Sequence, residues 1–243
     1  MHVLSDRNIK SEKSVITPEQ LLAELQVEEK ARMTVSNART SFEDILNGTD
    51  KKRIVIMAGP CSIHDPTQAI EYAERLKKLA TRVEDRIMIV MRVYFEKPRT
   101  RLGWKGLIVD PQLDGTNDYN TGLRMARRLL LEVNNLGMPV VTEFLGPIVP
   151  RFISDLVAVG TIGARTTESQ THREMASGLS MPLGYKNGTD GGVDVALDAM
   201  AAAKGAHSFL GINMNGELSL IETKGNPHGF LMLRGGKSGT NFD

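Results

Sequence analysis

The chain has 243 residues, with 30 Lys+Arg against 29 Asp+Glu, a single Cys, 41% hydrophobic and 5% aromatic residues. One cysteine excludes an internal disulfide framework and a Cys-only zinc cluster and fits a reducing cytoplasm, and a formal net charge of +1 argues against a broadly nucleic-acid-binding surface. No apolar run is long enough to span a membrane, the N-terminal MHVLSDRNIKSEKS lacks the apolar core of a secretory signal, and the length suits one (β/α)8 barrel.

Residues 1–52 are polar and carry two short amphipathic stretches. The first follows Thr17-Pro18-Glu19, where Thr17 can cap and Pro18 suits the first helical position; the second covers 36–46 and stops at Asn47-Gly48. This predicts an N-terminal helical extension, too short and polar to bury a core of its own, ahead of a catalytic domain over 53–243. From Arg53 onward, short apolar runs alternate with longer amphipathic ones. Strands are predicted at 54–58, 87–93, 139–144, 161–164, 182–186 and 230–234. Helices are predicted at 66–83, 122–136, 150–159, 171–178 and 193–203, and a long Gly- and Pro-containing loop at 94–117. Residues 208–212 and 218–222, joined by 213–216, read as a hairpin. The alternation predicts an α/β fold with a parallel sheet: a TIM (β/α)8-type barrel with about six of its eight strands, the N-terminal helical extension and an inserted β-hairpin.

The polar residues cluster just after the strands, where α/β folds place their ligand sites. The first strand delivers Cys61, His64 and Asp65. A lone cysteine is usually a small buried hydrophobe, but a position at a strand end beside a helix start suits a metal ligand or a nucleophile. Asp65, just before Pro66, reads as a helix cap. The second strand delivers Arg92, then Lys97-Pro98-Arg99-Thr100 and Lys105, which form either a phosphate site or a solvated basic loop. The later strands end in Thr142-Glu143, in Ala164-Arg165, in Lys186-Asn187-Gly188 and in Arg234-Gly235-Gly236-Lys237. In a barrel these ends converge, so Arg92, Arg165, Lys186 and Arg234 would share one centre. Such a concentration of like charge is favourable only with an anion in it. The expected substrate therefore carries several negative charges, as carboxylate and phosphate, with Arg for bidentate binding and Lys for a compact charge and acid catalysis. The glycines do not follow the spacing of a dinucleotide fold, and His172, His207 and His228 read as structural or exposed.

Assembled, the motifs Gly59-Pro60-Cys61-Ser62-Ile63-His64-Asp65, Arg92-Val93-Tyr94-Phe95-Glu96-Lys97-Pro98-Arg99-Thr100, Gly103-Trp104-Lys105-Gly106-Leu107, Ile162-Gly163-Ala164-Arg165-Thr166-Thr167-Glu168-Ser169-Gln170, Lys186-Asn187-Gly188-Thr189-Asp190-Gly191 and Leu233-Arg234-Gly235-Gly236-Lys237 closely resemble type I 3-deoxy-D-arabino-heptulosonate 7-phosphate (DAHP) synthases, the microbial form regulated by aromatic amino acids. The resemblance covers essentially the whole chain. It implies addition of phosphoenolpyruvate to erythrose 4-phosphate with release of phosphate, the first step of the shikimate pathway, in the cytoplasm and by a homo-oligomer, with no nucleic acid or membrane partner. It implies that Arg92, Lys105, Glu143, Ala164, Arg165, Lys186 and Arg234 hold phosphoenolpyruvate, that Lys97, Arg99 and Thr100 hold the aldose phosphate, and that Cys61, Lys97 and Lys186 take part in catalysis. Cys61 would also be one ligand of a divalent metal of the Mn, Fe, Co or Zn type, acting as a Lewis acid on the aldehyde.

For feedback inhibition, the resemblance implies an effector pocket around Gly146, Pro150, Leu179, Ser180 and Phe209, with Gly146 standing where relatives commonly carry an acid. Gly211-Ile212-Asn213 and Gly225-Asn226-Pro227 are similar to the tyrosine-regulated type. The family's remaining metal ligands and two further strands are expected beyond Asp243, so the chain reads as C-terminally truncated. Two alternatives accompany this reading: the related synthase that uses arabinose 5-phosphate, against which the Lys97-Pro98-Arg99-Thr100 run and the N-terminal extension argue, and an inactive remnant or interaction subunit.

Overall fold

A computed structural model describes residues 4–236 and Gly239; Lys237, the last residue of the closing motif, lies outside them. Helix α1 (Pro18–Glu24) starts at Thr17, whose hydroxyl accepts from the Gln20 backbone N–H at 3.2 Å while the Gln20 side chain accepts from Thr17 N at 3.0 Å, a reciprocal cap. Helix α2 (Glu29–Leu46) begins a full two turns before the predicted 36–46, because Ala31 and Val35 extend the buried stripe of Ala38 and Phe42 upstream at helical spacing.

Strand and helix then alternate through β1 (Ile54–Ala58), α3 (Pro66–Val83), β2 (Ile87–Arg92), α4 (Tyr119–Asn135), β3 (Val140–Glu143), α5 (Pro150–Ile153), β4 (Val159–Ile162), α6 (Gln170–Ser177), β5 (Leu183–Lys186) and α7 (Asp194–Lys204). The antiparallel hairpin of β6 (Ser208–Ile212) and β7 (Leu218–Glu222) intervenes before β8 (Gly229–Met232) rejoins the main sheet. The main sheet is wholly parallel, in the order β1-β2-β3-β4-β5-β8, and curls into an incomplete (β/α) barrel. Among the described residues no helix is long and apolar enough to cross a membrane.

Further boundaries differ from expectation for local reasons. The helix predicted over 150–159 stops early: α5 gives way to a 3-10 turn at Ser154–Leu156, and the chain is extended from Val157. Residues 157–162 are buried throughout, as a strand covered on both faces must be, so β4 sits earlier than the predicted 161–164. Helix α4 begins at Tyr119 because the Asp118 carboxylate caps it, accepting from Thr121 N at 3.1 Å.

The two-residue period of the strands divides the core. On β2, Ile89 and Met91 face the helices, with Val93 and Phe95 beyond them, while Met88 and Val90 face the barrel interior. The interior layer is completed by Val55 and Met57 of β1, Val141 of β3, Val159 of β4 and Phe230 of β8. Helix α2 enters that layer from outside the sheet: Phe42 is buried there, with its ring 5.1 Å from that of Phe230. Removing the ring leaves a cavity that rigid strands cannot close. Phe42→Ala should therefore destabilise the chain by about 3–5 kcal/mol, read as a lower midpoint in denaturant unfolding; an unchanged midpoint would mean that α2 does not support the sheet.

Candidate active site

The alternation that packs the interior also builds the site. Continuing the inward-facing positions to the carboxyl ends of the strands gives Arg92 and then Tyr94 after Val90, Glu143 after Val141, Thr161 after Val159, and Lys186 after Gly184. These residues meet. The Arg92 guanidinium lies 4.1 Å from the centre of the Tyr94 ring, and the Lys186 ammonium lies 5.1 Å from the same centre. Lys186 Nζ also donates to Glu143 Oε2 in a partly buried ion pair. The Tyr94 hydroxyl is 3.0 Å from Thr161 Oγ1, whose own bond to Thr142 O ties β4 to β3.

Cys61 reaches this cluster from the turn after β1. Lys97 Nζ donates to its Sγ at 3.0 Å and Arg92 Nη2 approaches at 3.7 Å. The Lys97 hydrogen bond holds the thiol below its ordinary pKa against partial burial, with the charges of Lys97, Arg92 and Lys186 adding to the effect. Two glycines make room. Gly59, at φ +153°, lies so close to β2 that a Cβ would meet Arg92 O at 2.6 Å, and a Cβ on Gly163 would meet Glu143 Oε1 at 3.0 Å. Asp65 is the predicted cap, accepting from Thr67 N at 2.8 Å and Gln68 N at 3.2 Å.

The long loop folds back on the sheet. Lys97 N donates to Lys105 O at 2.8 Å, which sets exposed Lys105 beside Lys97, and Arg99 Nε donates to Trp104 O at 2.7 Å. Arg165 Nη2 donates to Thr100 Oγ1 at 3.1 Å, so the loop after β4 meets the loop after β2. Ala164 opens a turn in which Gly163 O accepts from both Thr166 N and Thr167 N. Arg234 is tied in through its backbone, its N–H donating to Asn187 Oδ1 at 2.7 Å and its carbonyl accepting from Asn187 Nδ2 at 3.1 Å. Its exposed side chain makes no hydrogen bond among the described residues.

Cations thus outnumber carboxylates at this face, and the buried Arg92 Nε has no partner among the described residues. A desolvated guanidinium N–H without an acceptor is what an anion would satisfy. The same residues do not fit a metal centre. Among the described residues no group of three His, Cys, Asp or Glu side chains is placed to hold an ion, and the nearest polar neighbours of Cys61 are an ammonium and a guanidinium.

Tyr94 and Glu96 are parts of this region that the charged strand ends did not single out. Tyr94 follows Arg92 by two, the inward-facing period of β2, and that spacing was the available signal. The Glu96 carboxylate is buried and accepts from Leu145 N at 3.1 Å and Gly146 N at 3.0 Å. Burial pushes its carboxyl from 4.5 up to about 7, against the pull of those two N–H groups, and the Glu143 charge adds to the rise.

A second concavity, a cavity of about 800 Å³, lies between the hairpin, α6 and the segment leading into α5. Pro150, Leu179, Ser180 and Phe209 line it. Gly146 does not: it packs against Glu96, where a Cβ would meet Oε1 at 2.9 Å. Beside it, His172 Nε2 donates to Leu145 O at 2.8 Å, so the ring carries its proton there and Nδ1 accepts from Ser169 Oγ at 2.9 Å.

Two outcomes follow from these contacts. Cys61 is the only cysteine, so alkylation reports on it alone. In Lys97→Met the main support of the thiolate is gone, and the midpoint of the alkylation rate against pH should move up; an unmoved midpoint would show that Lys97 does not hold the thiolate. For Glu96, the folded chain keeps a proton that the unfolded chain loses between 4.5 and about 7. Its contribution to stability therefore falls as pH rises through that window, by up to about 1.4 kcal/mol per unit. Glu96→Gln should remove that slope from the pH dependence of the urea midpoint, and an identical profile in both proteins would refute the assignment.

The model of the DAHP synthetase I family matches residues 23–243. A Tyr-sensitive phospho-2-dehydro-3-deoxyheptonate aldolase of Escherichia coli is 53% identical over 235 residues, covering 97% of this chain and 66% of the relative. A Trp-sensitive enzyme of the same name from Enterobacter agglomerans is 55% identical over 224 residues, covering 92% of this chain and 64% of the relative. The solved structure of a phospho-2-dehydro-3-deoxyheptonate aldolase from Francisella tularensis superposes with a TM-score of 0.94 at 48% identity, covering 97% of this chain and 69% of that one. The chain spans about two thirds of the length of the curated relatives it matches. On this similarity, extending over most of its length, the chain belongs to the DAHP synthetase I family.

Proposed function

We propose that the chain carries the substrate site of a DAHP synthase, which joins phosphoenolpyruvate to erythrose 4-phosphate. The observation that carries this reading is the convergence of Arg92, Lys97 and Lys186 on Cys61, with an unpartnered guanidinium N–H among them. The names of the relatives support it.

In this reading Arg92, Lys186, Arg165, Lys105 and Arg234 hold the carboxylate and phosphate of phosphoenolpyruvate, with the Ala164 backbone assisting. Glu143 fixes the Lys186 ammonium. Lys97, Arg99 and Thr100 hold the aldose phosphate; Arg165, hydrogen-bonded to Thr100, bridges the two subsites. C3 of phosphoenolpyruvate attacks the aldehyde carbon, water adds at C2, and the C–O bond to phosphate breaks, so one water is consumed and one phosphate released. The Lys97 ammonium is the acid available to the aldehyde oxygen. The cavity lined by Pro150, Leu179, Ser180 and Phe209 is the proposed seat of an aromatic amino acid inhibitor, a reading supported by the Tyr- and Trp-sensitive names of the relatives.

A second reading, binding of phosphoenolpyruvate without turnover, is favoured because among the described residues no group of three His, Cys, Asp or Glu side chains, with or without Cys61, is placed to hold an ion. One experiment separates the readings. The purified chain is given manganese, phosphoenolpyruvate and each aldose in turn, and the seven-carbon product and free phosphate are measured beside phosphoenolpyruvate binding by calorimetry. Product with erythrose 4-phosphate supports the synthase. Binding alone supports the second reading, and product only with arabinose 5-phosphate, or no binding, overturns the proposal. Arg92→Ala should weaken phosphoenolpyruvate binding roughly 10–100-fold, the range for a lost hydrogen bond to a charged group.

A further inference from the structure

We infer that Tyr94 is a positioning residue for anion binding: its aromatic face holds the Arg92 and Lys186 cations in their binding arrangement before substrate arrives. The inference rests on the proposed phosphoenolpyruvate site and adds a group to it.

Tyr94 is only 4% exposed. Its ring lies 4.1 Å from the Arg92 guanidinium carbon and 5.1 Å from Lys186 Nζ, both inside the range at which a ring quadrupole attracts a cation. The ring's position is itself fixed: the hydroxyl contacts Thr161 Oγ1 at 3.0 Å, and the Tyr94 carbonyl accepts from Ile63 N at 2.9 Å. Arg92 and Tyr94 stand two apart along one inward-facing row, which brings guanidinium and ring together by strand geometry alone. Lys186 arrives from β5, on the far side of β3 and β4 in the sheet order. One ring therefore links cations from two strands that are not neighbours.

The physical reason is a problem of charge. Two cations facing the same empty site repel, and long flexible side chains relieve the repulsion by turning out to solvent. An anion that later binds must then pay to reorder them. Glu143 restrains Lys186 but makes no hydrogen bond to Arg92. The Tyr94 ring restrains both, and it does so without neutralising either. A carboxylate in its place would cancel the attraction on which the substrate depends. The contribution of the ring to affinity is preorganisation, present before and after the anion binds.

The test separates quadrupole from shape. The whole chain is prepared with Phe and with mono-, di- and trifluorophenylalanine at position 94, together with Tyr94→Leu, and phosphoenolpyruvate affinity is measured by calorimetry with thermal melts as a check on folding. Tyr94→Phe should bind within a few-fold of the unmodified chain. Successive fluorination, which drains the ring's negative face with little change of size, should weaken binding stepwise, and Tyr94→Leu should lose roughly 3–30-fold, the span of partly to well desolvated cation–π contacts.

Equal affinity across the fluorinated series would overturn the inference, as would a loss in Tyr94→Phe as large as in Tyr94→Leu, which would assign the effect to the hydroxyl. A failure of the unmodified chain to bind phosphoenolpyruvate would instead overturn the proposed site, and this inference with it. Melts that fall in step with affinity across the series would mark Tyr94 as a packing residue only and reject the positioning role.

Discussion

Arg92, Lys97 and Lys186 have to be held within reach of one another, and the repulsion this creates shapes what surrounds them. Two like charges about 4 Å apart near a protein surface oppose each other by roughly 4 kcal/mol. The chain meets this with graded partners rather than full neutralisation. Glu143 pairs with Lys186, the Cys61 sulfur accepts from Lys97, and the Tyr94 ring faces both Arg92 and Lys186. Arg92 Nε is left without a partner among the described residues. The result is a face still positive enough to attract an anion and ordered enough to receive it. The depressed thiol of Cys61 belongs to the same balance, since its thiolate is stabilised by the cations it helps to restrain.

This arrangement depends on the parallel sheet beneath it. Each strand sends alternate residues inward, and the inward rows change character at their carboxyl ends: Val90 gives way to Arg92, Val141 to Glu143 and Val159 to Thr161. The apolar layer below supplies the rigidity. Met88, Val90, Val141, Val159 and Phe230 interlock there with Phe42 from α2, so α2 supports the site from the opposite end of the strands. A slip of one residue in any strand would turn its charged end toward the helices and bring an apolar neighbour into the site. Burial of both faces guards against such a slip in β3 and β4, the central strands of the sheet.

Much of this was legible in the sequence because it depends on local rules. Apolar runs ending in charge mark β2, β3 and β5, and Asp65-Pro66 announces the start of α3 with the cap in place. What escaped depends on tertiary packing. The first two turns of α2 are polar enough to pass for loop until Ala31 and Val35 find a surface to cover. The helix predicted at 150–159 and the start of β4 were confused because a buried apolar run has the same composition in either state. Tyr94 was hidden inside a segment read as loop, although the pairing of Val93 N with Val141 O carries the extended backbone past Arg92. Nothing local marks Glu96 off from the charges that follow it, and only the fold shows that its carboxylate accepts from Leu145 and Gly146.

The segment around Leu145 and Gly146 is held from both sides. Glu96, next in sequence to Lys97, takes up its N–H groups, and His172 at the start of α6 donates to the Leu145 carbonyl. The chain then runs directly into Pro147 and Pro150, which line the 800 Å³ cavity. This explains why position 146 suits glycine. Any side chain there must push aside the Glu96 carboxylate or the Val149 methyl, 3.0 Å from the added carbon. An acidic side chain would also set a second carboxylate against one that burial has already pushed up to about 7. Glycine leaves both carboxylate oxygens of Glu96 free to accept from the backbone. The turn is thereby fixed to the loop that presents Lys97, and a buried acid whose burial is unfavourable is kept because its two backbone bonds fix where the neighbouring lysine stands.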